Sequence, residues 1–249
     1  ASLQSLAARD TGLKALTTLE ISGSKITAAG IRSLIGPSSG LKSLTELNIG
    51  KSAATVEWLR ALARPDSGLV SLTTLNLGMP PWRLNVPPAA AQPNAEHTGL
   101  QTLCVEAFET ADLCIRAIAR SDTAFNTLAT LDLTDTFASD ATLRALARST
   151  SGLKALKTLN LSRTRVNDAG LRAMAAADSP LKSLTALNLR ATDVGDAGIM
   201  AIVGPDSCLT ALTELDISGT LVSNAALLAL AQADSAPKAL AKLRIPYRL

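Results

Sequence analysis

Large aromatic side chains are scarce in this chain of 249 residues, in which Phe, Trp and Tyr together make up 2 % of the sequence. Hydrophobic residues nevertheless account for 47 % of the chain. A core of this composition is built from Leu, Ile, Val and Ala, and we expect it to form thin, uniform layers. The few aromatic residues therefore mark places where the pattern changes.

Neither sign of charge is in excess, and metal-binding spacings are missing. The 24 basic and 21 acidic residues leave a net charge of +3, which argues against nucleic acid as the partner. Cys104, Cys114 and Cys208 show no CxxC spacing, so the sequence predicts neither a zinc site nor a disulfide framework and favours a reducing compartment. No apolar run reaches the roughly 18 residues of a membrane-spanning helix, and the opening segment ASLQSLAARD has no signal-peptide core. We therefore expect no membrane insertion.

A 28-residue pattern recurs along the whole sequence without insertion or deletion, and its fourth and seventh positions are Leu in every copy. Repetition at this period indicates a solenoid, in which each unit buries its apolar side by stacking on its neighbours. We predict one domain over 1–249, with a partial unit at 1–12, eight units over 13–236 and a C-terminal partial unit at 237–249. The copies begin at Leu13, Leu41, Leu69, His97, Phe125, Leu153, Leu181, Leu209 and Pro237.

Each unit combines one short strand with one short helix. The segment LNL at 159–161 shows the period-two alternation of a strand, and Thr164 and Val166 close the turn that follows. Asp168 then opens a segment whose apolar positions, three apart, predict an amphipathic helix with an acid at its positive end. Because a helix is about 10 Å wide and strands stack about 4.8 Å apart, the array must curve with its strands inside. The predicted fold is an α/β horseshoe with a parallel sheet on its concave face.

Two consecutive units, 69–124, depart from the pattern. The first makes a normal strand and then continues as MPPWRLNVPPAAAQPNAE, whose five prolines remove backbone donors and disfavour a helix. The second carries His97, Phe108 and Thr110 where most copies hold other residue types. We expect the Pro-rich segment to be extended and irregular, with Trp82 either filling the space of the missing helix or anchoring a partner.

The repeated unit resembles the leucine-rich repeats, and its 28-residue length is similar to that of the ribonuclease-inhibitor-like class. Within it, the segment DAGLRAMA at 168–175 resembles the GALA-type repeats of type III effectors from bacterial plant pathogens. The family usually has Asn or Cys at the twelfth position, where this chain mostly has Ser or Thr, and we expect the hydroxyl to bond to turn backbone instead. The resemblance implies recognition of a macromolecule through the exposed residues of the concave strands.

The predicted binding surface consists of strand residues at and near the eighth and eleventh positions of the unit. Neighbouring strands place these side chains about 4.8 Å apart, and their identities vary while the Leu positions do not. We expect them to point away from the core and to be exposed; if nothing binds there, they are simply solvated strand faces. The candidate partner-binding residues are Asp132, Asp135, Asn160, Arg163, Asn188, Arg190, Asp216 and, in the Pro-rich segment, Trp82.

A second row, of arginines at the twentieth position, would form a basic stripe on the helices. Asp140 and Asp168 precede Arg144 and Arg172 by four residues, which is the spacing of helical ion pairs worth about 0.2 to 0.5 kcal/mol each. We therefore expect a solvated and largely neutralised helix surface rather than an anion-binding groove.

Catalytic chemistry has little support in the sequence. His97 and a strand-exposed Cys104 are seven residues apart and conceivable as a pair, but no third group orients them. No GxSxG, P-loop or HExxH motif is present in a fitting context. Trp58, at the eighteenth position where a small residue is common, fits local packing.

The sequence therefore predicts a non-enzymatic, monomeric scaffold for a protein partner, without cofactor or metal. The GALA resemblance implies a virulence effector secreted into a host cell, the other location being the cytoplasm. The alternative function is a targeting subunit or domain of an enzyme such as a ubiquitin ligase, with the catalytic part outside this chain. Because Ala1 falls at the seventeenth position of a unit, we expect the native protein to extend further upstream.

Overall fold

Nine short strands form one parallel sheet, in the order of the chain, within the residues that the structure describes. The structure is a computed structural model that describes residues 13–21, 28–49, 62, 69–77, 100–105, 115, 119, 125–231 and 239–245. The strands are β1 Thr18–Glu20, β2 Glu46–Asn48, β3 Thr74–Asn76, β4 Thr102–Cys104, β5 Thr130–Asp132, β6 Thr158–Asn160, β7 Ala186–Asn188, β8 Glu214–Asp216 and β9 Lys242–Arg244. The α-helices are α1 Ala28–Ile35, α2 Asp140–Leu146, α3 Asp168–Ala175, α4 Asp196–Val203 and α5 Asn224–Ala231, and a 3-10 turn covers Leu181–Ser183.

The sheet repeats in strict register every 28 residues. Each strand pairs in parallel with the next, so that Leu131 lies beside Leu159 and Leu159 lies beside Leu187. The ladder continues past the strands, where the amide of Leu161 donates to the carbonyl of Asn188 at 2.8 Å. The predicted α/β solenoid, with its parallel sheet on the concave face and helices outside, is confirmed.

The core is a stack of equivalent leucine layers. Phe125 replaces the first Leu of its repeat and is 1 % exposed, so its ring occupies a place that Leu fills elsewhere. The unit that begins at 153 has seven fully buried apolar side chains, which are those of Leu153, Leu156, Leu159, Leu161, Val166, Leu171 and Met174. These positions include all of the apolar ones that the sequence pattern assigns to the interior.

A hydroxyl closes the turn after each of four consecutive strands. In each case a Thr at the twelfth position donates its hydroxyl hydrogen to the carbonyl oxygen three residues earlier, at 2.6 to 2.7 Å. This carbonyl needs a partner because it lies next to the core. The expectation that a hydroxyl bonds to turn backbone is confirmed at Thr136, Thr164, Thr192 and Thr220.

An aspartate opens each of helices α2, α3 and α4, and its carboxylate reaches across to the next repeat. The amides of Asn167 and Gly170 donate to Asp140 Oδ1 at 3.0 and 3.2 Å. Likewise the amide of Gly195 donates to Asp168 Oδ1 at 2.7 Å. A Cβ on Gly170 would stand 2.7 Å from Asp140 Oδ1, so a residue without a side chain allows this approach.

The predicted ion pairs between Asp140 and Arg144 and between Asp168 and Arg172 are wrong. Salt bridges of the described residues lie elsewhere, and these carboxylates join successive repeats instead. The physical reason is that backbone amides at the start of the neighbouring helix are fixed donors, whereas a solvated guanidinium must lose side-chain freedom to pair. Both arginines are exposed.

The irregular units keep their strands. Strand β3 lies at the start of 69–124 and β4 lies within it, and both keep the parallel register. The Pro-rich segment with Trp82, as well as Trp58 and His97, lies outside the described residues. None of the helices that the structure describes has the length and apolar character needed to cross a membrane.

The eleventh position of four consecutive repeats adopts the left-handed backbone conformation. The φ angles are 56° at Asp135, 59° at Arg163, 53° at Ala191 and 71° at Gly219. This conformation turns the amide toward the next repeat, so that Ala191 donates to the carbonyl of Ser218 at 2.9 Å. Glycine adopts it without strain, whereas an L side chain raises its energy by about 1 to 2 kcal/mol.

Replacing Gly219 with alanine should lower the free energy of unfolding by about 0.5 to 1 kcal/mol, because the left-handed strain exceeds the 0.4 to 1 kcal/mol that alanine contributes by restricting the unfolded chain. A Cβ there would meet its nearest neighbour at 3.6 Å, so collision adds nothing. Ala191→Gly, the reciprocal change one repeat earlier, should raise stability by a similar amount. Urea unfolding of both variants measures this, and a more stable Gly219→Ala protein would contradict it.

Candidate interaction surface

The inner face of the sheet is made by the first and third residues of each strand and by the residue two places after the end of the strand. The register brings four of the candidate residues side by side, because Asp132, Asn160, Asn188 and Asp216 are the third residues of β5, β6, β7 and β8. In the unit that contains β6, their neighbours on the same face are the small polar residues Thr158 and Ser162. These four residues therefore form a row across the sheet, in the order that the sequence predicts.

The row is less exposed than expected. Asp132 is 2 % exposed and Asp216 is 8 % exposed, while Asn160 and Asn188 are half-buried. Cys104, which was expected to be exposed on its strand, is 5 % exposed. Their exposure is low because these short side chains pack against the backbone and against each other on a closely spaced inner face.

Each residue of the row holds the turn that ends its own strand. A side-chain oxygen accepts the backbone N–H two residues further on, in the same way in all four repeats. The donors are Thr134 at 2.9 Å from Asp132, Ser162 at 3.1 Å from Asn160, Arg190 at 3.0 Å from Asn188 and Ser218 at 3.0 Å from Asp216. A carboxylate or amide at this position is therefore part of the fold.

Asp132 is the centre of a small polar network. Its Oδ1 also accepts the hydroxyl of Thr134 at 2.6 Å, and its Oδ2 accepts Nδ2 of Asn160 at 3.1 Å. Burial raises the pKa of the Asp132 carboxyl above its ordinary value, outweighing the lowering by the hydrogen bonds from Thr134 and Asn160, and the charge of Asp135 raises it further. Thr134 Oγ1 and Ser162 Oγ lie 3.2 Å apart and connect this network to the next strand.

Exposed charge is concentrated past the ends of strands β5 to β7. Nε of Arg163 lies 2.6 Å from Oδ1 of Asp135, and Arg190 is exposed in the next repeat. The guanidinium of Arg165 lies over the ring of Phe137, 4.4 Å from its centroid. We call the exposed residues Asp135, Arg163 and Arg190, which follow the strands, the rim of the inner face.

The C-terminal end of the inner face carries paired charges. Nζ of Lys242 donates to Oε2 of Glu214 at 2.8 Å, and Nη1 of Arg244 donates to Oδ2 of Asp216 at 3.3 Å. The pair of Lys242 and Glu214 is exposed and contributes at most about 1 kcal/mol, whereas the pair of Arg244 and Asp216 has one buried partner. Their effect on the surface is to leave no acid of β8 without a partner.

The sequence reasoning missed the stack of Phe137 and Arg165. Both occupy the thirteenth position of their repeats, where the following copies hold Asp193 and the exposed Leu221. The variety of residue types at this position was the available signal. The helix row also changes character, since Arg144 and Arg172 are followed at the twentieth position by the exposed Met200 and Leu228.

A metal centre is not found in the part of the chain that the structure describes, because no three His, Cys, Asp or Glu side chains there converge as ligands. The pairing of His97 with Cys104 remains untested, since His97 lies outside that part. The third residues of β5 to β8 bond to the turn backbone, an arrangement suited to presenting a surface.

Comparison with known families matches two consecutive repeats, residues 153–175 and 181–203, to the family described as Leucine Rich repeat. No curated protein sequence matches the chain. Among solved structures, an internalin-like protein of Listeria monocytogenes is similar, with 15 % identity and a TM-score of 0.51, over 84 % of this chain and 55 % of that one. Listeria monocytogenes InlP gives 16 % identity and a TM-score of 0.51, over 94 % and 61 %. A protein from Bacteroides fragilis gives 14 % identity and a TM-score of 0.54, over 94 % and 67 %.

These comparisons concern the architecture. The chain spans less than two thirds of the length of the two Listeria proteins, and at such low identity the likeness is one of fold alone. The leucine-rich-repeat solenoid expected from the sequence is confirmed, and the narrower resemblance to GALA-type repeats stays a prediction.

Proposed function

We propose that this leucine-rich-repeat solenoid is a scaffold that binds a protein partner through the inner face of its sheet. The observation that carries the proposal is that residue types vary on a backbone that repeats. Strands β5 to β8 share one register and one turn geometry, while the residues just past each strand differ in type. The tenth position holds Thr134, Ser162, Arg190 and Ser218, and the eleventh holds Asp135, Arg163, Ala191 and Gly219. A rigid surface loses little conformational entropy when a partner binds.

Within the candidate set, we assign two different roles. Asp135, Arg163 and Arg190 are exposed and would contact the partner directly. Asp132 and Asp216 are buried and hold the turns that present them, with Asn160 and Asn188 doing both. Substitution of Asp132 would therefore affect folding as well as binding, and exposed arginines are the better probes of the surface.

The experiment that tests this function places a photo-cross-linking amino acid at Arg190 on the inner face and, as a matched control, at Arg172 on helix α3. Both positions are exposed arginines, so neither change disturbs the core. After circular dichroism has verified folding, we expect one partner protein to cross-link from the Arg190 position and not from the Arg172 position. A third probe at Trp82 examines the Pro-rich segment as the other candidate contact, and cross-linking from Trp82 or Arg172 alone would refute the inner-face assignment.

The biological setting we propose is a monomeric bacterial effector delivered by type III secretion into a host cell, which is supported by the resemblance of 168–175 to GALA-type repeats. The alternative is a targeting part of an enzyme such as a ubiquitin ligase. Assays of the purified chain for ubiquitin transfer and hydrolysis separate the two ideas. We expect no turnover from the chain alone, and stimulated transfer on adding a ligase core would favour the alternative.

A further inference from the structure

We infer that the partner presents acidic side chains in an extended segment, and that Arg163, Asn188 and Arg190 receive them. This inference rests on the proposed function and specifies the chemistry of the same face. It is based on the hydrogen-bonding groups of the inner face, some of which already have partners within the protein while others have none.

The acceptors that the inner face carries along β5 to β8 are engaged. Both carboxylate oxygens of Asp132 accept hydrogen bonds, from Thr134 and from Asn160. Those of Asp216 accept from Ser218 and Arg244. The other two acids at the strand and eleventh positions of these repeats, Asp135 and Glu214, form ion pairs with Arg163 and Lys242, and the amide oxygens of Asn160 and Asn188 accept turn amides. A partner rich in donors would therefore have to displace existing bonds.

Several hydrogen-bond donors on the same part of the face have no partner within the described residues. Among the residues that the structure describes, the guanidinium of Arg190 and the Nδ2 group of Asn188 have no hydrogen-bond partner. Arg163 uses only its Nε toward Asp135, which leaves both of its terminal nitrogens. Arginine forks match carboxylates with two parallel hydrogen bonds, and such charge-assisted bonds are stronger than neutral ones.

These donors belong to one patch. The amide of Arg163 donates to the carbonyl of Arg190 at 2.8 Å, and Oδ1 of Asn188 accepts the amide of Arg190 at 3.0 Å. Strands β6 and β7, which carry them, stand about 4.8 Å apart. Successive carboxylates of an extended segment, on one side and two residues apart, are separated by about 6.6 Å. The two arginines can therefore be engaged by neighbouring acids of such a segment.

Opposing charges near the patch are turned away or neutralised. Asp132 is buried and lies two strands from Asn188, and Asp216 pairs with Arg244. The exposed Asp193 follows Arg190 by three residues, beyond the buried Thr192 of the turn. Over β5 to β8, an extended segment on the inner face therefore meets two arginines, while the acids at the strand and eleventh positions are buried or paired.

The test uses a fluorescent twelve-residue peptide of alternating Glu and Ser, with matched peptides that carry Gln or Lys in place of Glu. Fluorescence anisotropy with the full chain should show the order Glu, then Gln, then Lys. The double variant Arg163→Gln with Arg190→Gln should weaken binding of the Glu peptide by roughly tenfold, since two solvent-exposed charge pairs are lost. The control Arg144→Gln with Arg172→Gln removes the same charge from the outer face and should change binding by less than about twofold.

Three outcomes would overturn the inference. They are equal binding of the Glu and Gln peptides, equal loss in the control variant, or a single-stranded oligonucleotide of matched charge binding as well as the Glu peptide. The inference and the proposed function fail separately. Cross-linking of a partner at Arg190 without acid preference retains the scaffold and rejects the acidic segment.

Discussion

Replacing Leu159 with alanine should lower the free energy of unfolding by about 2 to 5 kcal/mol. Leu159 is fully buried and lies in register between Leu131 and Leu187, so truncation leaves a cavity in the middle of the leucine stack. Each repeat of a solenoid is stabilised by its neighbours, and the loss therefore weakens two interfaces at once. Urea unfolding followed by circular dichroism measures the change.

Two neighbouring substitutions serve as controls for Leu159→Ala. Lys157→Ala alters an exposed side chain, and we expect its effect to stay within about 0.5 kcal/mol. Asn160→Ala should have an intermediate effect of about 1 kcal/mol, because Asn160 accepts the amide of Ser162 and donates to Asp132. The same midpoint for the Leu159 and Lys157 variants would be incompatible with the strand alternation on which the fold depends.

The fold could be predicted from the sequence because the apolar pattern alone determines it. Leu at fixed positions of a 28-residue unit indicates buried layers, and equal unit lengths force the strands into register. The candidate row followed from the same reasoning, because residues beside a buried Leu on a strand must face the other way. Asp132, Asn160, Asn188 and Asp216 do lie together, as this argument requires.

The repeat pattern of the sequence could not predict the side-chain hydrogen bonds. Alternation says which way Asp132 points from the strand, but not that its carboxylate lies down onto the amide of Thr134 and becomes buried. Spacing of four residues suggested that Asp140 pairs with Arg144, whereas the chosen donor, Asn167, is 27 residues away along the chain. A carboxylate such as that of Asp140 bonds to the donor that the fold already holds in place, and this donor can be distant along the chain.

The left-handed eleventh position was hidden for a related reason. Asp135, Arg163, Ala191 and Gly219 share no side-chain property, and only the glycine suggests the backbone conformation. At Asp135, Arg163 and Ala191 the conformation accompanies an amide-to-carbonyl bond with the next repeat, which any residue with a backbone N–H can make. It matters for function because it places Arg163 on the rim.

Removal of the Asp132 carboxylate should destabilise the protein by about 1 to 3 kcal/mol, even though the residue faces away from the leucine core. In Asp132→Ala the amide and hydroxyl of Thr134 and one amide hydrogen of Asn160 lose their acceptor in a partly buried place. Arg190→Ala, at an exposed position of the same face, should leave stability within about 0.5 kcal/mol. Equal stability of the two variants would mean that Asp132 is a replaceable surface group and not a support for the turn.

The pH dependence of stability provides a second test of the Asp132 carboxyl. It uses the variant Asp132→Asn, whose side chain does not titrate. Because burial raises the pKa of Asp132 in the folded protein above its ordinary value of 3.8, the folded state retains a proton in the interval between the two pKa values while the unfolded state releases it. In that interval this carboxyl makes the wild type less stable as pH rises and more stable as pH falls. The stability of the Asn variant relative to wild type should therefore decrease as pH is lowered from 7 toward 4.

Asp196 titrates in the opposite sense, and comparing the two proteins removes its contribution. Hydrogen bonds from the hydroxyl and amide of Ser223 lower the pKa of Asp196, so its stabilising effect is present above the ordinary pKa and is lost as pH falls through the folded value. That loss occurs equally in the wild type and in Asp132→Asn, and it cancels from their difference. A difference that stays constant over the pH range would show that the Asp132 carboxyl is as well solvated in the folded protein as in the unfolded chain, against its burial beneath Thr134 and Asn160.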